Sequence, residues 1–158
     1  MTKQKIIKII YCIIFVVLLV SNLYFCLQNY QVKQECKELY EKETLTAEDL
    51  KTKSAFIAGR TTSYGEEGEA SPAKVSYRKL YGIEYIGKYE ITENEGIEVS
   101  FWHGDPAKTL ILDKDGNEMF YDEVTEVGFE PSEAGKYDVY IVGNKFTGRL
   151  EIRTYQCE

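Results

Sequence analysis

Tyr137-Asp138-Val139-Tyr140-Ile141-Val142 alternates its side chains with a period of two. Successive side chains of a β-strand point to opposite faces, so this spacing predicts a strand with Tyr137, Val139 and Ile141 inside and Tyr140 outside. The same alternation extends from Lys74 towards the carboxyl end, broken by turn-forming residues about every eight to twelve positions. Strands are expected near residues 75–80, 85–91, 97–102, 109–112, 118–121, 124–129, 137–142 and 149–154. Their inward sets are Ile97, Val99 and Phe101; Leu110 and Leu112; Val127 and Phe129; and Leu150 and Ile152. About eighty-five residues suffice for one such domain and not for two. The expected class is therefore mainly β: a transmembrane helix and helical stalk followed by an antiparallel Ig-like β-sandwich over 74–158.

The turn before this strand, Glu133-Ala134-Gly135-Lys136-Tyr137-Asp138-Val139, resembles the acid-x-Gly-x-Tyr-x-Cys segment that opens strand F of immunoglobulin-like domains. Glu133 stands for the acid, Tyr137 for the corner tyrosine and Val139 for the cysteine. The stretch from Phe129 and Pro131 to Tyr137 is also similar to the Phe-x-Pro-x-x-x-Gly-x-Tyr pattern of GOLD-like modules. The resemblance implies a sandwich whose Tyr137 hydroxyl bonds back to upstream backbone. No cysteine lies on 97–102, and the single tryptophan is on that strand instead of the next. The resemblance implies no particular function.

At the other end, residues 9–27 (IIYCIIFVVLLVSNLYFCL) hold no charge and follow Lys3, Lys5 and Lys8. As a helix at ~1.5 Å per residue they span roughly 28 Å, enough to cross a bilayer once. A cleaved signal would need small residues near the end of the run, where only Ser21 qualifies. Lipoprotein processing at Cys26 would meet Phe25 where a small residue is required. The expectation is an uncleaved signal-anchor embedded in the lipid bilayer. Nineteen basic residues stand against 26 acidic ones, and with three lysines ahead of the run the remainder carries an excess of about ten negative charges. Residues 1–8 are accordingly expected in the cytoplasm and the rest outside the cell membrane. So acidic an exterior argues against nucleic acid as a partner.

Residues 28–58 read as a helical stalk. Over 28–42 Val32, Cys36, Leu39 and Tyr40 fall near one face; the stripe is short for a coiled coil, so the expectation is an amphipathic helix resting on its own domain or on the bilayer surface, with a homo-oligomer through the stalk as the alternative. Thr46 and Asp49 form a near capping box for a second helix expected to run to about Ile57 and end at Gly59. Residues 59–73, rich in glycine and glutamate, read as a flexible linker. Cys12 and Cys26 fall within the apolar run, while Cys36 and Cys157 lie outside it as a possible disulfide, with free thiols or a Cys36 bridge between copies as alternatives. One histidine and no paired-cysteine spacing give no basis for a metal, and no cofactor is expected. Asp113-Lys114-Asp115-Gly116-Asn117 offers oxygens for calcium, but its glycine is misplaced for an EF-hand loop, and a plain hairpin is expected.

His103 beside Asp105 lacks a third partner, and no serine sits in a nucleophile-elbow pattern, so the chain is not expected to be an enzyme. Binding is the better reading. Trp102, His103 and Tyr140 are the candidate residues, since outward tyrosine and tryptophan stack on sugars or anchor proteins. The expected role is a membrane-anchored, extracytoplasmic cell-envelope binding or interaction module with a protein or glycan partner. The alternatives are an accessory subunit acting through its span and stalk and, last, an extracellular enzyme.

Overall fold

The computed structural model describes residues 3–51, 56–65, 73–102, 104–105, 107–123 and 125–157. They divide into two compact units, Met1–Gln34 and Glu35–Glu158. Helix α1, Lys3–Glu41, supplies all that is described of the first. Its uncharged run is exposed along its whole length. No proline, glycine or charged residue interrupts the run, and the helix is long and apolar enough to cross a membrane.

The second unit begins with the last turns of α1 and continues into α2, Ala47–Lys51. The expected cap is present in reciprocal form: the Thr46 hydroxyl oxygen accepts the Asp49 N–H at 3.3 Å, and the Asp49 carboxylate accepts the Thr46 N–H at 2.9 Å. Lys42 also bonds Asp49, and the Lys42 and Thr46 bonds hold the Asp49 carboxyl down at about 2. The helix does not reach Ile57. Phe56 and Ile57, aromatic and β-branched, instead pair as strand β1 (Phe56–Ala58) with Tyr81 and Leu80. Within the stretch read as a linker, Thr61–Ser63 forms β2 on the same edge, and residues 66–72 lie outside the described set.

The remaining strands are β3 (Lys74–Ile91), β4 (Glu95–Trp102), β5 (Ala107–Leu112), β6 (Glu118–Glu123), β7 (Glu126–Phe129) and β8 (Gly135–Gln156). Every ladder is antiparallel, and all eight strands join in one sheet. Strand β8 organises it. Strand β3 lines one edge over most of its length, while β5 and then β4 line the other. Four expected strands are thus two: 75–80 and 85–91 are one strand, and 137–142 and 149–154 another. The glycines between them lie within the ladder, with Gly82 directly opposite Gly143 beside register shifts of the kind that crease a sheet.

Register shifts keep the inner face inward past the crease. On β8 the core residues are Tyr137, Val139 and Ile141 and then Phe146, Leu150 and Ile152, a change of parity that the unpaired Lys145 (φ 70°) introduces. On β3, Val75 and Tyr77 give way to Leu80 at a second shift. Residues from both sides of the crease enter one core, and the rings of Phe129 and Tyr137 meet at 5.6 Å.

Leu110 and Leu112 share a buried face, but it is the one away from this core, which takes Ala107 and Ile111 from β5. Strand β5 is buried on both sides because the end of α1 lies over its outer face. Lys108, on that face, donates to the Lys42 carbonyl at 2.9 Å and sits 5.2 Å from the Tyr40 ring and 4.8 Å from the Tyr121 ring. The Tyr40 hydroxyl bonds Glu123, and Cys36 is fully buried. The stalk stripe of Cys36, Leu39 and Tyr40 is thus turned towards its own domain.

Candidate binding groove at Trp102

The outer face of β4 carries the residues that alternate with Ile97, Val99 and Phe101, namely Glu98, Ser100 and Trp102. Register sets Glu98 opposite Arg153, Ser100 between Glu151 and Glu126, and Trp102 opposite Arg149. These rows border a groove of about 380 Å³ lined by Glu98, Ser100, Trp102, Glu126, Glu151 and Arg153. Trp102 is 49% exposed at its end. A backbone contact fixes the turn beyond it: at Gly104 (φ 150°) a β-carbon would overlap the Thr147 carbonyl oxygen.

Arg153 Nη2 donates to Glu98 Oε2 at 2.8 Å, and the Ser100 hydroxyl donates to Glu98 Oε1 at 2.9 Å. The guanidinium bond, more than the serine, holds the Glu98 carboxyl below its usual range. Lys74 stands 3.4 Å from Glu151. Among the described residues Glu126 has no hydrogen-bond or ion-pair partner. An exposed indole beside a carboxylate that accepts no hydrogen bond, its charge acting only on nearby Arg153, suits a ligand with one apolar face and hydrogen-bond donors at its edge.

Tyr140 lies elsewhere. It pairs with Tyr85 of β3 across the ladder, ring centroids 5.1 Å apart, and the Tyr85 hydroxyl donates to Asp138 at 2.9 Å. Burial, reinforced by that bond, pushes Tyr85 up to about 12. Tyr140 is not among the residues that line the Trp102 groove, and His103 lies outside the described residues. Alternation alone reveals Glu98 and Ser100 beside Trp102. Glu126, Glu151 and Arg153 join them only through strand register, which one sequence does not disclose.

Two other features have structural duties. Asp113 accepts N–H groups from Asp115 and Asn117 and the Asn117 side-chain amide, each at 2.8 Å, as a closed hairpin turn. Cys36 and Cys157 are not bridged. Among the described residues no three histidine, cysteine or acidic side chains are placed to hold a metal. The Tyr137 hydroxyl donates to the Glu133 carbonyl at 2.8 Å, the bond that the corner motif implies. In comparisons with known proteins, no family model, curated protein or solved structure matches the chain.

Proposed function

We propose that the chain is a single-pass membrane protein, amino end in the cytoplasm, whose β domain binds saccharides of the cell envelope in the Trp102 groove. The domain is read as an Ig-like sandwich closed about the Gly82–Gly143 crease, with no catalytic role. The observation that carries the reading is the half-exposed Trp102 ring beside Glu126 and Glu151. A sugar offers C–H faces to the indole and hydroxyl donors to the carboxylates. Anionic polymers are disfavoured by the groove's three glutamates and the net charge of −7.

The chain holds one tryptophan, so its fluorescence reports this groove alone. Titration of the detergent-solubilised full chain with oligomers of glucose and of N-acetylglucosamine should shift and saturate the emission. Glu126→Ala should weaken binding roughly tenfold, the scale of one hydrogen bond to a charged group. An indole that stays fully accessible to acrylamide at saturating sugar overturns the reading. Orientation is checked by protease on intact cells, which should digest residues beyond Gly59; a protected domain refutes it.

A further inference from the structure

Within the apolar run, Asn22 is the one side chain that carries a carboxamide. Its Nδ2 donates to the Leu18 carbonyl, one turn back, at 2.9 Å, and among the described residues that is its only hydrogen bond. The amide oxygen and a second N–H remain, and α1 offers them nothing. Hydrocarbon supplies no water to satisfy them, so a carboxamide facing lipid is costly and tends to turn towards another helix.

The neighbours of Asn22 define which face would meet that helix. Cys12, Phe15, Leu19, Asn22, Cys26 and Asn29 follow one another at alternating spacings of three and four, the a/d seam of a left-handed helix pair. All are exposed. The seam thus places a polar residue at a d position among apolar and small ones. A carboxamide is both donor and acceptor, so it is complementary to itself across a twofold axis. Copies of one chain enter the bilayer in the same direction, which makes their pairing parallel and sets each Asn22 opposite its equivalent.

We infer that α1 pairs with α1 of a second copy of this chain along the Cys12–Cys26 seam, with reciprocal hydrogen bonds between the two Asn22 carboxamides. The inference rests on the reading of α1 as a membrane span. It moves self-association from the stalk stripe, which faces its own domain, into the bilayer.

The native thiols supply the assay. In membranes from cells expressing the full chain with Cys12→Ser and Cys157→Ser, copper-phenanthroline should join two copies through Cys26, and adding Cys26→Ser should abolish that product. Buried Cys36 does not contribute. Asn22→Leu should lower the association constant about tenfold, whereas Asn22→Gln, which keeps the carboxamide, should retain most of the cross-link. A Val17→Cys probe on the opposite face, in the chain that also carries Cys12→Ser, Cys26→Ser and Cys157→Ser, should give none. These changes lie in the span and leave the β domain intact. Loss of the chain from carbonate-washed membranes would overturn the membrane reading itself. A chain retained there that cross-links equally with Asn22→Leu, or equally from Val17→Cys, or not at all, overturns the pairing alone.

Discussion

Gly82 and Gly143 face each other across the β3–β8 ladder, just past the register shift between Leu80 and Tyr81, the kind of irregularity that bends a strand. Gly82 holds φ at 92°, a region that L side chains rarely occupy. At Gly143 a β-carbon would lie 2.9 Å from both the Leu80 side chain and its carbonyl oxygen. Alanine at Gly82 should cost roughly 1–2 kcal/mol through backbone strain, and alanine at Gly143 about 1–3 kcal/mol through crowding. Denaturant midpoints of the solubilised chain measure both. Because the residues are partners, the double substitution should depart from additivity.

Glu84 is buried in the core beside Tyr77, and Arg60, between β1 and β2, reaches it at 2.5 Å. Burial and the Glu84 charge together push the Tyr77 hydroxyl well above its usual range. Arg60→Ala leaves a carboxylate without its counter-ion and should cost about 2–3 kcal/mol; that is less than a fully buried pair loses, since Arg60 is 36% exposed. Glu84→Gln should recover much of this loss in the Arg60→Ala background. A double-mutant cycle on unfolding free energies checks the coupling.

Burial, with the nearby Glu35 charge, pushes the Cys36 thiol up to about 11 from 9.0. The folded chain therefore keeps its proton to higher pH than the unfolded chain. Stability from this site is present in full below pH 9.0 and is lost as pH rises from there to about 11. Near pH 8, iodoacetamide should modify half-buried Cys157 at least about tenfold faster than Cys36, which opens only by local unfolding. Mass spectrometry over time separates the two sites.

The Tyr137 hydroxyl is the smallest feature tested. Tyr137→Phe keeps the ring packed on Phe129 and removes only the bond to Glu133, at a cost of about 1 kcal/mol. Thermal unfolding should show that modest fall with unchanged β signature in far-UV circular dichroism.

Much of this fold was legible. Alternation placed Ile97, Val99, Tyr137, Val139, Ile141, Leu150 and Ile152 in the core, and the corner bond of Tyr137 followed from its motif. Length and lack of charge marked the apolar helix. Glycine misled, because Gly82 and Gly143 serve a bend inside a strand as readily as a turn between strands. Leu110 and Leu112 are buried on one face as their alternation implies, but beneath the end of α1, because a strand covered on both faces has no single inner side. Trp102 stood out by type and parity, but the acids around it come from β7 and β8. No pattern within β4 specifies those neighbours, and the same limit hid Arg60 and Glu84.

Strand β8 has a consequence for how the molecule is made. Strands β3, β4 and β5 bond to it directly, and β1, β2, β6 and β7 bond only to those three. Synthesis proceeds from the amino end, so the ribosome delivers the apolar helix and the other seven strands before the organising strand. Until Gln156 is translated, the earlier strands lack the partner that closes them and their edges stay open to wrong pairings. The domain is thus obliged to mature after its helix has emerged, as a late and nearly all-or-none event.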